Sequence, residues 1–376
     1  MTLRSFGRIG SIGTIGGIIG ICLAVGLGAC DSSDDSATNT GGGGNGGKGG
    51  GDATGGPSTT YAPFSQANLQ NQLLRVGAYE QIQTIRKGES FKAADFGGAC
   101  DQWSGDVTTP SDPTKLASLY VETAELAAKV AGRKDDHAFN LGAEVGKQIH
   151  GRICDAIAAG SAVPDTTGRD DLNGLGWHSQ VLDKGLQHFF YQSVHHELVQ
   201  GARAKWDEGF GYSGLDFGGD PAKASGIGKT AATRDTNCGT TYARDLHAAL
   251  IQGRDQLDAA LKAAGKSGDA DALDTIPADL QETIDEIDRM LLEVFAISFA
   301  REYIGIDAGD KPFIKVIEGR MFFHILEPYI ASVDAALAAK MAAEVAKDDP
   351  ETVDTAFMIG AVKTVFGLDV PALCTQ

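Results

Sequence analysis

Apolar residues recur three and four positions apart through most of the chain after residue 60, which is the spacing of one face of an α-helix. This spacing is clear in three segments, 67–88, 113–132 and 136–160. Each of them ends in a glycine, a frequent residue at helix C-termini. No segment sustains the alternation of apolar and polar residues that is typical of a β-strand. The pattern predicts an all-α fold of about eight helices, packed in one or two bundles.

The rest of the chain continues the helical pattern. Residues 172–208 are expected to form one long helix or two helices joined near Gly185. Further helices are expected at about 240–265, 277–305, 311–346 and 350–366.

The most apolar stretch after residue 60 is "MLLEVFAISFAREYIGI", residues 290–306. Glu293, Arg301 and Glu302 interrupt it, and charges are rare in the bilayer interior. The stretch is therefore expected to be a buried core helix and not a membrane span.

The first 29 residues have the pattern of a secretory signal peptide. Arg4 and Arg8 precede an uncharged and mostly apolar run, which ends in Leu27-Gly28-Ala29-Cys30. An uncleaved signal-anchor helix is the alternative. These last four residues resemble the lipobox of bacterial lipoproteins, which implies cleavage before Cys30 and acylation of Cys30. The protein is then expected to be lipid-anchored in the bacterial cell envelope, at the inner or the outer membrane, facing the periplasm or the surface.

Residues 30–60 are expected to form a flexible linker. They are acidic at first and then rich in glycine, with too little apolar surface to offset the entropy of ordering. Residues 61–376 follow as the helical domain. A predicted long loop at 213–240 would divide this domain into halves 61–212 and 240–376.

The charge of the chain excludes some partners. Its formal net charge is −18, and the signal peptide carries two arginines and no acidic residue, so the mature chain is more acidic still. Nucleic-acid binding requires clusters of lysine and arginine, and the sequence has none.

The segment "KASGIGKT" lacks the first glycine of a phosphate-binding loop, with Lys223 in its place, and no strand precedes it. The partners left are the membrane, through Cys30, and either a small ligand or another envelope protein.

Four cysteines lie in the helical domain: Cys100, Cys154, Cys238 and Cys374. Their spacing does not fit a zinc knuckle or a redox motif. Four cysteines in an exported chain indicate two disulfides in one of three pairings, and free buried thiols are the alternative.

Segment 193–214, "SVHHELVQGARAKWDEGFGYSG", contains the main candidates for metal ligands. His196-Glu197 begins a zinc-protease HExxH motif, but Gln200 stands where the second histidine belongs. On a helix, His188 and His195 fall at the edge of the apolar face, where they are either packing residues or ligands.

Asp207 and Glu208 are expected in the last turn of this helix, where the helix dipole disfavours negative charge. They require either an ion pair, from Arg203, Lys205 or another segment, or a bound cation. The glycines at 209, 211 and 214 are expected to form a sharp turn.

A second candidate group lies in "IEGRMFFHILEPY". Arg320, His324 and Glu327 are spaced four and three apart and so share one helix face. This spacing is compatible with a metal site at His324 and Glu327, or with an Arg-His-Glu hydrogen-bond network.

The segment "WDEGFGYSG", together with the lipobox, the glycine-rich linker and the all-α pattern, resembles imelysin-like bacterial envelope lipoproteins. The resemblance implies a fold of two helical bundles and an envelope role linked to iron. The GxHxxE motif of the imelysin family is absent, since Gly176-Trp177-His178 is followed by Val181 where the glutamate belongs. The metal site and peptidase activity associated with that motif therefore do not transfer.

These observations favour a membrane-anchored lipoprotein whose helical domain binds a ligand, with a divalent cation or iron as the candidate cofactor; a non-enzymatic role is favoured. Two alternatives stay open. One is a metal-dependent hydrolase or peptidase that uses His195 or His196 with Glu197 or Glu208 as base. The other is a purely structural or interaction lipoprotein.

Overall fold

The computed structural model describes residues 59–100 and 110–374. The signal peptide, Cys30 and nearly all of the linker lie outside the described residues. The α-helices are α1 (Gln70–Lys87), α2 (Leu116–Glu122), α3 (Leu126–Gly132), α4 (Val145–Ser161), α5 (Leu175–Leu198), α6 (Arg203–Ser213), α7 (Gly226–Cys238), α8 (Tyr242–Ala263), α9 (Ala278–Asp307), α10 (Pro312–Val333), α11 (Ala335–Val345), α12 (Thr355–Phe366) and α13 (Val370–Leu373).

The all-α prediction is confirmed, because the described ranges contain helices and no β-strand. Two isolated β-bridges occur, Asp135 with Ala143 and Ala202 with Ala272. The helices are more numerous than the expected eight, because several of the predicted long segments are divided. Within the described ranges, no helix is both long and apolar enough to cross a bilayer.

Helices α5, α9 and α10 form the centre of the packing. Helix α5 lies against α4, α6 and α10, while α9 lies against α8, α10 and α12. Segment 290–306 lies within α9, and most of its side chains are buried, as its composition predicts. Gly185 lies inside α5, where a Cβ would lie 2.9 Å from Ile153, so the glycine lets α4 pack closely.

The segment 172–208 breaks at residues 199–202 and not near Gly185. Gly201 has a φ of +62°, a conformation that favours glycine, and it ends the turn between α5 and α6. Asp207 and Glu208 consequently lie in the middle of α6, so their expected position in a last helical turn is wrong. The expected turn at 209–214 is also wrong, since α6 continues to Ser213.

The predicted loop at 213–240 contains helix α7. Its sequence is polar, but Ile227 and Ala231 are fully buried, and the hydroxyls of Thr233 and Thr236 donate to carbonyls four residues earlier.

The predicted helix 311–346 is divided into α10 and α11. The break is at Asp334, whose φ of −150° is extended and whose side chain caps α11.

The prediction of two disulfides is confirmed. Cys100 is bonded to Cys154, and Cys238 is bonded to Cys374. The second bridge ties the end of α7 to the end of α13, 136 residues further along the chain.

Candidate metal centre

A short loop between α3 and α4 carries His137. The bridge between Asp135 and Ala143 closes this loop, and the backbone N–H of Gly142 donates to the carbonyl of Asp135 at 2.7 Å. Gly142 has a φ of +80°, which a residue with a Cβ rarely adopts. The predicted helix at 136–160 is therefore wrong in its first part, because α4 begins only at Val145.

Asp135 fixes the orientation of the His137 ring. This fully buried carboxylate accepts hydrogen bonds from Nδ1 of His137 at 2.7 Å and from its backbone N–H at 3.0 Å. Asn140 and Gln192 donate to its other oxygen at 2.9 and 3.0 Å. Nε2 of His137 therefore faces away from Asp135, as in metal sites where a second carboxylate orients a ligating histidine.

Helices α5 and α9 supply two further side chains. His195 lies in the last turn of α5, and Asp288 lies on the buried face of α9. Nδ1 of His195 lies 2.5 Å from Oδ2 of Asp288, and Nε2 of His137 lies 3.6 Å from Oδ1 of Asp288. The two imidazole rings are stacked with their centroids 3.8 Å apart.

We call His137, His195 and Asp288 the His-His-Asp centre. One donor atom from each residue lies within 4.8 Å of the other two. Within the described ranges, this is the single group of three or more His, Cys, Asp or Glu side chains with that geometry. The arrangement is compact enough for the three side chains to bind one ion.

Each member of the centre has a buried atom without a hydrogen-bond partner in the described part of the chain. These atoms are Nε2 of His137, Nε2 of His195 and Oδ1 of Asp288. Two of these atoms, Nε2 of His137 and Oδ1 of Asp288, face each other at 3.6 Å, which is within ion-pair distance but beyond hydrogen-bond distance. A cation bound among the three residues would provide partners for such atoms.

The electrostatics of the centre agree with cation binding. Burial raises the pKa of Asp288, but the attraction of His195 and His137 outweighs it and holds that pKa below its ordinary value. Burial lowers the pKa of His137, but the carboxylates of Asp135 and Asp288 outweigh it and raise that pKa to about 9. In the metal-free protein, His137 is therefore expected to be protonated at neutral pH.

The centre lies in the wall of a cavity of about 730 Å³. Residues of α12 and of α10 also line it, with Phe366 stacked on Tyr329 at 5.4 Å between ring centroids. Phe139, from the His137 loop, contacts the edge of the Tyr329 ring at 5.6 Å. The three ligand candidates are thus buried side chains that border this cavity.

The donor set selects among metals. Two imidazoles and one carboxylate are ligands of Zn²⁺ and of non-haem Fe²⁺, whereas Ca²⁺ and Mg²⁺ prefer oxygen ligands. Three protein ligands leave at least one coordination position for water or another molecule. The cavity provides the room for such a molecule.

Of the residues that the sequence indicated, His195 belongs to the centre. His196, the next residue, hydrogen-bonds Asp136 instead, so that two adjacent histidines of α5 meet two adjacent residues of the loop, 136 and 137.

Asp207 and Glu208 are both held by protein groups. Asp207 accepts hydrogen bonds from the Tyr61 hydroxyl at 2.9 Å, from Asn68 at 3.1 Å and from the backbone N–H groups of Phe64 and Ser65. Glu208 pairs with Lys205 at 3.0 Å and accepts a hydrogen bond from Gln72 at 2.9 Å. An ion pair or a bound cation was expected at these carboxylates, and Glu208 forms the ion pair.

The remaining candidates lie near one another but outside the centre. His188 is buried, neither ring nitrogen has a partner in the described ranges, and burial, with Arg152 and His324 nearby, lowers its pKa to about 3. His324 and Glu327 lie 3.8 Å apart across one turn of α10. Arg320 turns away to Asp348 and to the carbonyls of Val345 and Lys347.

Sequence reasoning missed His137, Asp135 and Asp288. A signal for Asp288 was present, because it is an acidic residue on the apolar face of α9 defined by Ile284, Ile287 and Leu291. The loop residues were missed because the sequence predicted a helix from residue 136.

Comparison with known proteins gives no relative: no family model matches the chain, and neither does any curated protein or solved structure.

Proposed function

We propose that this protein is a lipid-anchored bacterial envelope protein whose helical domain binds a divalent transition-metal ion at the His-His-Asp centre. One observation carries the metal proposal: His137, His195 and Asp288 each bring a donor atom within 4.8 Å of the other two, and each also has a buried atom without a hydrogen-bond partner in the described part of the chain. Asp135 orients one of these ligands in advance of binding.

The envelope part of the proposal rests on the sequence and is supported by the cysteines. Leu27-Gly28-Ala29-Cys30 follows an apolar signal segment, and a glycine-rich linker separates Cys30 from the helical domain. The two disulfides suit an oxidising compartment outside the cytoplasm. Replacement of Cys30 by alanine should abolish palmitate labelling; labelling of that variant would contradict the anchor.

Zn²⁺ and Fe²⁺ are the metals that the donor set fits best. Both accept two imidazoles and a carboxylate, and both would keep coordination positions that three protein ligands do not fill. The net charge of −18 also attracts cations to the domain, without selecting among them.

Metal content tests the proposal. Full-length protein purified without chelator and without a histidine tag is expected to contain, or to take up, about one equivalent of Zn²⁺ or Fe²⁺. His195→Ala and Asp288→Asn should abolish uptake. His196→Ala and Asp285→Asn are matched controls on the same helices and should retain it. Equal uptake by all four variants, or none by the wild type, would contradict the proposal.

Metal-dependent hydrolysis is a second candidate function, favoured by the combination of three protein ligands with an open cavity. Catalytic zinc sites have this composition. Asp285 and Glu293 line the same cavity and could serve as the base. Hydrolysis of p-nitrophenyl acetate by the Zn²⁺-loaded wild type, lost in Asp288→Asn, would support an enzyme; equal rates would exclude it for this substrate.

A further inference from the structure

The cavity beside the His-His-Asp centre has an apolar part, separate from the charged residues of its wall. Its walls include Phe139, Leu292, Tyr329, Val365 and Phe366. Leu141, at 73% exposure, is the most exposed large hydrophobic residue of the described ranges, and it lines the same cavity. A volume of about 730 Å³ is in the range of small-molecule sites, which span roughly 300–1,000 Å³.

The charges around the cavity disfavour an anionic occupant. A divalent ion at the centre would be neutralised by Asp288, which ligates it, and by Asp135, which is hydrogen-bonded to the ligand His137. Asp285 and Glu293 add negative charge to the cavity wall.

Arg289 does not reverse this balance. Among the described residues that line the cavity, it is the one lysine or arginine, and it already pairs with Glu293 at 2.7 Å. No unpaired cation of the described lining is thus left to receive a carboxylate or phosphate.

We infer that the cavity binds an uncharged organic molecule with an aromatic or aliphatic body, which coordinates the metal through one neutral nitrogen or oxygen atom. This inference rests on the proposed function, because the metal supplies the polar end of the site. The apolar wall formed by Phe139, Tyr329 and Phe366 then receives the body of the molecule. The centre is thereby a metal-dependent ligand-binding site and not a simple metal store.

The test uses Co²⁺ as the metal, because its visible spectrum reports on its ligands. Full-length protein in lipid nanodiscs, free of detergent that could enter the cavity, is loaded with Co²⁺ and titrated with 4-phenylimidazole, imidazole and 4-phenylbutyrate. Imidazole has the donor without the apolar body, and 4-phenylbutyrate has the apolar body with an anionic end.

We expect 4-phenylimidazole to bind at least about tenfold more tightly than imidazole, because the phenyl ring is buried in the cavity. It should also bind more tightly than 4-phenylbutyrate. Val365→Trp, which fills the cavity from α12, should bring the affinity for 4-phenylimidazole to within about threefold of that for imidazole and leave Co²⁺ uptake unchanged. Phe366→Ala provides a second variant, with the same selective loss of 4-phenylimidazole affinity expected.

The outcomes separate the two proposals. Failure of the wild type to take up Co²⁺ contradicts the proposed function itself. Normal Co²⁺ uptake with equal affinities for 4-phenylimidazole and imidazole leaves the metal centre standing and overturns the apolar ligand site. Tighter binding of 4-phenylbutyrate than of 4-phenylimidazole overturns the uncharged character of the ligand.

Discussion

Asp135 accepts a hydrogen bond from Nδ1 of His137 at 2.7 Å, and this contact directs Nε2 of His137 towards Asp288. A buried carboxylate two positions before a histidine in a closed loop thus orients one member of the His-His-Asp centre. It contributes no ligand of its own to the three-residue group.

Asp135→Asn should lower metal affinity about 10- to 100-fold, because the carboxylate that orients His137 is lost. Isothermal titration with Zn²⁺ measures this change. Asp136→Asn is the control, since the neighbouring Asp136 pairs with His196 outside the centre. Equal affinities of the two variants would show that the Asp135 contact is structural only.

Metal affinity should rise with pH. His137 has a pKa of about 9 in the metal-free protein, and a ligating imidazole must be neutral, so metal binding displaces its proton. Affinity should therefore increase by up to about tenfold per pH unit between pH 7 and pH 9, with proton release detectable by titration in two buffers of different ionisation enthalpy. Affinity independent of pH over this range would contradict a role for His137.

The raised pKa of His137 also affects the stability of the metal-free fold. That stability should fall with pH, whereas metal affinity should rise. A pKa above that of the unfolded chain, about 6.5, stabilises the folded state below pH 6.5, and this stabilisation is lost as the pH rises towards 9. Thermal melts of metal-free protein should therefore show a falling Tm over this window, and His137→Gln should reduce the slope. An unchanged slope in that variant would assign the pH dependence to other groups.

Asp183→Asn should destabilise the protein by about 3–5 kcal/mol at pH 7, because it leaves Arg86 buried without its charge partner. Burial raises the pKa of Asp183, but the charges of Arg86 and Lys184 outweigh it and hold this pKa well below its ordinary value. Its stabilising effect is present above the unfolded pKa of about 3.9 and is lost as the pH falls below it.

Urea unfolding at pH 7 and pH 3 measures both effects. The difference between wild type and Asp183→Asn should shrink at pH 3, while Asp155→Asn, at an exposed position of α4, should be near neutral at both. A difference that stays constant between the two pH values would refute the ionic role of Asp183.

Asp207→Ala should lower stability without changing metal content. Asp207 ties the segment before α1 to α6 through Tyr61, Phe64, Ser65 and Asn68, and removing it leaves buried donors without an acceptor, at a cost of about 1–3 kcal/mol. Chemical denaturation and elemental analysis of the same preparation test the two statements together. Loss of bound metal with unchanged stability would place a metal ligand at Asp207 after all.

The sequence predicted the fold class and the presence of two disulfides, but neither the pairing of the cysteines nor the His-His-Asp centre. Helical periodicity reports which face of a segment is apolar, so the long helix α9 was predicted with nearly its observed bounds. The break between α5 and α6 depends on Gly201 and on tertiary packing, which periodicity does not report.

The centre itself joins three separate segments of the chain. His195 stood out because two adjacent histidines lie at the edge of an apolar helix face. His137 did not, because the spacing of its apolar neighbours resembles that of a helix, while the bridge between Asp135 and Ala143 makes this segment a loop. Spatial convergence of residues 137, 195 and 288 requires the packing of α5 on α9, which no local pattern encodes.

Diffraction from crystals soaked with Zn²⁺, measured on both sides of the zinc absorption edge, tests the central claim most directly. We expect one dominant anomalous peak about 2 Å from a nitrogen of His137, a nitrogen of His195 and an oxygen of Asp288. A dominant peak at His324 and Glu327, or no peak at the His-His-Asp centre at saturating Zn²⁺, would contradict the proposal.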